Sequence, residues 1–359
     1  MRKLDRANFI HFDFLIILLM IPLVVLSTML VFELNASVGT KQLIYISVGV
    51  VVFMTVYLLP IKRLIWLIPI FYWLDILLLI SVKFFGKTIL GATRWLEIPG
   101  IGLTIQPSEL MKPAIILMLA YLIQKTPPPP EGYGWKQFLT IGMYILLPFV
   151  LIAAEPDLGS ATVILLLGFF VLFVIGVEWK IWAILAVVGV LSSTFVYDHL
   201  RDYQKQRIAD FLGEKPSYHV QQSIIAIGSG GLTGKTVDEA TQAQMKFLPI
   251  STTDFIFAYY VERFGFWGAF GLISLYGILI LHLLTLTQKF GSNYFGRVMT
   301  VSIGSLLFIY MSVNIAMTIG LAPVVGVPLP LFSSGGSSFI NFMVLFAILE
   351  HLLAFRFEV

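Results

Sequence analysis

The chain has 359 residues, 58% of them hydrophobic and only 12% charged, a balance far outside that of soluble globular proteins. A formal net charge of +3 gives no case for nucleic-acid binding, and the absence of cysteine removes disulfides, zinc–thiolate centres and cysteine nucleophiles. What remains is an integral membrane protein.

Arg2, Lys3 and Arg6 precede an uncharged run from Phe14 to Phe32, about long enough to cross a ~30 Å hydrocarbon core. The run exceeds a signal-peptide core and lacks a small-residue cleavage site, so it reads as a membrane anchor. Asn35-Ala36-Ser37 matches a glycosylation sequon that arises often by chance. A second run, Gln42 to Ile61, is joined by Lys62-Arg63 to a third, Leu64 to Val82. The third carries Asp75, read either as part of an ion pathway or partner contact, or as a carboxyl hydrogen-bonded between helices.

The loop Lys83 to Gln106 leads to a fourth span ending near Gln124. Its start, Pro107-Ser108-Glu109, has the acid that a helix dipole favours in the first turn, and Pro113 predicts a kinked entry. Pro127 to Pro130 form a stiff linker before the fifth span, Gln137 to Ala154. Glu155-Pro156-Asp157-Leu158-Gly159 then breaks the hydrophobicity, with Asp157 placed as a helix N-cap. The sixth span is Leu158 to Val177, and the seventh, Ile181 to Tyr197, follows a turn at Glu178-Trp179-Lys180.

Asp198 to Thr253 is the one long polar segment, and loops of that length usually carry function. Within it, GSGGLTGKT at 228–236 imitates a phosphate-binding loop, but the spacing puts Ser229 where the first glycine belongs and no strand precedes it, so nucleotide binding is rejected. The eighth span, Phe255 to Leu286, is unusually long and interrupted by Glu262-Arg263, which predicts a break or tilt. A ninth runs from Val298 to about Leu321, a small-residue loop covers 322–338, and a tenth closes near Leu353.

Ten spans place both termini on one side. The positive-inside rule makes that side cytoplasmic, with Arg2, Lys3, Arg6, Lys62, Arg63, Lys125, Lys136, Lys180, Lys289, Arg297 and Arg356 inside. The expected fold is an all-α polytopic membrane protein of ten transmembrane helices, both termini cytoplasmic, with a large extracellular loop at 198–253 between spans 7 and 8. Arg94, Glu109, Asp157, Asp254 and the loop at 322–338 then converge on the external face. An acid at a membrane boundary, as Asp254 is, needs a reason to be there.

Four segments in order resemble the signature loops of the SEDS proteins (shape, elongation, division and sporulation), among them RodA and FtsW. They are GATRWLEIPGIGLTIQPSELMK, EPDLGSA, SYHVQQSIIAIGSGGLTGKT followed by FLPISTTDFIFAYYVERFG, and PVVGVPLPLFSSGGSS. The resemblance covers nearly the whole chain as a single integral membrane unit, and the short amino-terminal tail leans towards the RodA branch. Glu155 stands where Gln is common, Arg263 where a second acid usually follows Glu262, and Ser334 where Tyr usually precedes the two glycines.

The resemblance implies a peptidoglycan glycosyltransferase of cell-wall elongation and cell shape in the bacterial inner membrane. It would polymerise lipid II at the outer face beside a class B penicillin-binding protein. Joining a sugar hydroxyl to an anomeric carbon that carries lipid diphosphate needs a base for the proton and positive charge for the leaving group. Asp254 is the base candidate, with an N-cap after Thr252-Thr253 as its structural alternative. Arg94, Lys112, Arg207, Lys235 and Lys246 are cations available to the diphosphate, and Mg²⁺ or Mn²⁺ held by an acid would serve equally.

Glu109 and Lys112, three apart on one helix face, either bind substrate or pair with each other. Ser333 of the final loop is counted with the substrate-binding residues. Asp157, Glu262 and Asp75 stand between structural and functional readings. The rival activity is a lipid II flippase, against which stand the absence of a visible inverted repeat and the gathering of polar motifs on one face.

Overall fold

The structure is a computed structural model that describes residues 11–89, 92–97, 104–198, 200, 202–213, 217–240, 242, 247–248 and 250–355. Arg2, Lys3, Arg6, Lys246 and Arg356, all named above, lie outside the described residues.

The hydrophobic runs fold as long helices. They are α1 (Phe14–Leu34), α2 (Ala36–Tyr57), α3 (Ile61–Phe85, with a 3₁₀ turn at Ile65–Leu67), α4 (Pro107–Lys125), α5 (Trp135–Ala154), α6 (Leu158–Ile175) and α7 (Trp179–Asp198). The segment after α7 supplies two shorter helices, α8 (Asp202–Leu212) and α9 (Tyr218–Ser229). The chain closes with α10 (Ile256–Leu286), α11 (Tyr294–Thr318) and α12 (Gly336–Ala354).

Among the described residues, eight helices are long and apolar enough to cross a membrane by length and composition: α1, α2, α3, α5, α6, α10, α11 and α12. α7 is apolar but shorter over its described stretch, and α4 carries Glu109, Lys112 and Lys125. The expectation of purely helical structure needs one correction. Part of the loop at 83–106 folds as a three-stranded antiparallel sheet, β1 (Lys87–Ile89), β2 (Ala92–Glu97) and β3 (Thr104–Ile105), in the order β1-β2-β3. Lys87 pairs with Trp95 and Leu96 with Ile105 in its ladder, so this polar stretch satisfies its backbone groups locally.

Single residues fix the turns. Asn35 of the sequon is the N-cap of α2, its side chain accepting from the Ser37 and Val38 amides at 3.0 and 3.3 Å, which reverses the chain directly after α1. α11 is the central element, packed against α4, α6, α10, α12 and α9. At one end of the bundle Asp13, ahead of α1, ties three helices together. Its carboxylate lies 2.8 Å from His282 Nε2 and 3.1 Å from Lys289 Nζ, and its amide donates to Glu350 Oε2 at 3.0 Å.

The break in α10 falls at Gly265, whose φ of 65° no helix holds, just after the predicted Glu262-Arg263 interruption. The glycine-rich segment that imitates a phosphate loop packs against this break. The Lys235 amide donates to the Glu262 carbonyl at 3.0 Å, and Phe266 N–H donates to Gly231 O at 2.9 Å. A Cβ at Gly234 would meet the Arg263 carbonyl oxygen at 2.2 Å, and φ there is +82°, so only glycine lets the two backbones approach. These glycines serve packing.

Candidate active site

Asp254 lies just ahead of α10, in a segment whose carbonyls are held by two other parts of the chain, the final loop and α11. Ser334 N–H donates to Thr252 O at 2.9 Å, Ser333 Oγ donates to Thr253 O at 2.7 Å, and Asn314 Nδ2 of α11 donates to Asp254 O at 2.9 Å. Asn314 is fully buried and donates also to Val327 O at 2.7 Å, so one side chain joins α11, the Asp254 segment and the final loop. The N-cap alternative for Asp254 does not hold: the cap of α10 is Phe255, and no side chain caps that helix.

With its backbone clamped, the carboxyl of Asp254 is left to face the final loop. Its Oδ2 lies 3.6 Å from where a Cβ on Gly326 would stand, an ordinary contact distance, and the φ of +71° at Gly326 is what favours glycine there. Burial pushes the Asp254 carboxyl up to about 6, while the charge of Arg207 on α8 pulls it down. Arg207 also lines a pocket of ≈ 70 Å³ with Ser217, Val220, Gly320, Pro323 and Val324, between α8, α9 and the loop after α11. The structure thus sets one acid within electrostatic range of one predicted cation.

A second cluster sits on the other side of the final loop. Asp157 Oδ2 accepts from Ser108 Oγ and Gln106 Nε2, both at 3.1 Å, and Oδ1 accepts from the Ser160 amide at 3.3 Å as the N-cap of α6. Arg94 of β2 comes within 3.7 Å of Asp157 and donates to the Pro156 carbonyl. The cluster reaches the Asp254 region through Gly159, where a Cβ would lie 2.3 Å from Val325 O. Asp157 therefore fixes the turn that supports the loop facing Asp254.

Buried Lys112 and partly buried Glu109 form an ion pair on α4. Lys112 Nζ also lies 5.1 Å from the centroid of the Tyr310 ring, and Asn341 Nδ2 of α12 donates to Glu109 O at 2.9 Å. Lys235 and Glu262 are not part of the Asp254 cluster. They sit at the α10 break, about 12 Å further along the helix at 1.5 Å per residue, where Glu262 Oε1 accepts from the Gln242 amide at 3.2 Å. Arg263, the residue that departs from the family pattern, pairs with Glu33 at the end of α1 at 3.0 Å and donates to Lys235 O.

Asp75 is fully buried in α3, and among the described residues neither carboxylate oxygen has a hydrogen-bond partner, so the interhelical bond that was one of its two readings is not formed there. Glu155, where the family commonly has Gln, is likewise buried with both oxygens unpartnered. Burial pushes it up to about 8, with the charges of Asp157 and Asp75 adding to the effect and Arg94 opposing it. Among the described residues no three His, Asp or Glu groups converge as a metal site. Asn314 and Gly326 escaped the sequence reading. The available signal for the first was an amide side chain in the middle of an apolar run.

The model of the cell cycle protein family FtsW, RodA and SpoVE matches residues 2–357. The peptidoglycan glycosyltransferase MrdB of Helicobacter pylori strain 26695 is 51% identical over 99% of this chain and 93% of its own length. The Escherichia coli K12 protein of the same name is 37% identical over 94% and 92%. A solved structure described as the structural coordination of polymerization and crosslinking by a peptidoglycan synthase complex superposes with a TM-score of 0.83 at 26% identity, covering 97% of this chain and 99% of its own. The crystal structure of the Thermus thermophilus rod shape determining protein RodA gives 0.73 at 25% identity, over 97% and 98%.

Proposed function

This chain belongs to the FtsW, RodA and SpoVE family of cell cycle proteins and is a peptidoglycan glycosyltransferase, and from that premise we propose that Asp254 is its general base. The substrate is lipid II. Asp254 takes the proton from the 4-hydroxyl of the acceptor sugar as that oxygen attacks the anomeric carbon of the growing chain. The new C–O bond forms with inversion, and the old bond's electron pair leaves on undecaprenyl diphosphate. The carrying observation is the carboxyl itself: clamped by three backbone contacts, facing Gly326, and raised to about 6, where it is ionised at neutral pH yet basic enough to accept a proton.

Diphosphate leaves without protonation by an enzyme acid, so no second carboxyl at glycosidase spacing is needed. Arg207, whose charge reaches Asp254, is placed to receive the leaving group's charge. Arg94, Glu109, Lys112, Lys235 and Ser333 remain proposed substrate contacts, Ser333 being the one whose side chain bonds the segment of Asp254. A divalent cation such as Mg²⁺ or Mn²⁺, held by the substrate phosphates, would neutralise diphosphate charge and leave Asp254 free as the base.

We further propose ten membrane crossings, adding α4 and α7 to the eight apolar helices, with both termini cytoplasmic and Asp254 facing outwards. The basic residues of the short connections support this orientation. A class B penicillin-binding protein is the proposed partner, and cell-wall elongation the proposed role. Purified protein in liposomes is expected to convert labelled lipid II into glycan strands, with or without that partner. If lipid II crosses the bilayer and no polymer forms under either condition, the flippase reading replaces this one.

A further inference from the structure

We propose that Asn314 of α11 is a positioning residue for polymerisation, holding the Asp254 segment and the loop that faces it in one fixed register. Both hydrogens of its amide are in use. Nδ2 donates to Asp254 O at 2.9 Å and to Val327 O at 2.7 Å. Both partners are carbonyl oxygens, which only accept, so the hydrogen bonds themselves settle which way the amide points. Val327 follows Gly326, the residue that the Asp254 carboxyl faces. The base and the surface opposite it therefore hang from the same nitrogen.

Packing alone does not account for an amide at this position. Asn314 is fully buried, and among the described residues its Oδ1 has no hydrogen-bond partner. A buried acceptor left unpaired lowers stability, so an apolar side chain would suit the interior better if nothing but burial were at stake. Proteins break such local rules mainly at functional sites, and this break lies at the base.

The same stripe of α11 carries two more attachments. Tyr310, Asn314 and Thr318 recur every four residues and so share one side of the helix. The Tyr310 ring lies over Lys112 Nζ at 5.1 Å, and the Thr318 carbonyl accepts from Ser223 Oγ of α9 at 2.7 Å. α9 in turn supplies Val220 to the pocket that Arg207 lines. One stripe of α11 thus sets α4, the base, the facing loop and α9 against one another, with Asn314 at its middle. A reacting group displaced by about 1 Å can lose about 10²-fold in rate, so this register bears on the chemistry. Asn314 acts through Asp254 and not on substrate. The inference rests on the reading of Asp254 as the base, and its test separates the two.

Two variants are measured as the full chain in liposomes with labelled lipid II, alongside Tm in detergent. Asn314→Leu keeps the volume and removes the donors. Asn314→Ser is smaller and leaves room for water to meet a freed carbonyl, which keeps the test available if the Leu variant does not fold. The expected kcat is about 10²-fold lower for Leu and about tenfold lower for Ser. KM for lipid II is expected to be unchanged, because no substrate contact is lost. The acid limb of kcat/KM is expected to fall below 6, towards the ordinary 3.8, as the released segment lets water reach the carboxyl and relieves the burial that raises it. Arg207 of α8, whose charge acts on that carboxyl, and His219 of α9, whose ring lies 6.2 Å from that of Phe255, are the same in both variants.

A limb that stays near 6 in a folded variant, a kcat equal to wild type, a rise in KM alone, or loss of folding in Asn314→Ser as well would each overturn the proposal. Turnover retained by Asp254→Asn would reject the base, and this inference with it. If Asp254→Asn is inactive and Asn314→Ser matches wild type, the base stands and the positioning role alone fails.

Discussion

Replacing Asp254 by Asn is expected to lower the polymerisation rate by about 10³-fold, within the range that loss of a general base produces. The amide keeps the size and polarity of the carboxyl but cannot take the hydroxyl proton. Folding is expected to survive, for a reason the carboxyl's environment supplies. Burial raises its folded pKa to about 6 from the ordinary 3.8, so its contribution to stability is present at acidic pH and is lost as pH rises through that interval. At neutral pH the ionised acid is a burden on the fold, and Asn removes it. Thermal unfolding in detergent should therefore give a Tm no lower than wild type. Retained turnover in this variant would reject Asp254 as the base, and a collapsed Tm would reject the account of its burial.

Replacing Lys112 by Met is expected to cost about 3–5 kcal/mol of stability, the scale of breaking a buried ion pair from one side. The partner left behind is Glu109, whose Oε2 already lacks a hydrogen bond and whose carbonyl anchors Asn341 of α12. Its uncompensated charge would sit between α4, α11 and α12. Changing both residues, Glu109→Gln with Lys112→Met, removes the charge and is expected to restore most of the loss. The double variant also separates the two roles drawn from the sequence. Restored Tm with restored polymerisation marks a structural pair, and restored Tm without polymerisation marks a pair that also contacts substrate.

Much of this arrangement could be read before the structure. A membrane protein must satisfy its backbone within each crossing, so hydrophobic runs became helices with ends close to those expected, except α2, which starts at Ala36 and not at Gln42, and Glu109 with Lys112 paired as their i,i+3 spacing allowed. Asp157 likewise took the cap position its turn predicted. The small sheet was not legible, because strands of two to six residues punctuated by Gly and Pro leave no period to detect.

Long-range contacts were hidden for a different reason. Asn314 is visible as a polar residue in an apolar run, yet its partners are carbonyls 60 and 13 residues away in the chain, and nothing local specifies them. The glycines beside Lys235 draw its backbone onto the α10 break, a packing that no local pattern in the sequence specifies. One of the two readings of Asp75 was a hydrogen bond between helices, and among the described residues it makes none, since the pairing of α3 with its neighbours decides that contact.

The pH dependence of kcat/KM for lipid II polymerisation tests the central claim most directly. Activity is expected to rise with pH through a single acid limb centred near 6, as the Asp254 carboxyl loses its proton. The Arg207→Ala protein should show the same limb moved to higher pH, because the charge that holds the carboxyl down is gone. A profile flat across that range, or a limb that stays in place when Arg207 is removed, would contradict the assignment of Asp254 as the base that Arg207 tunes.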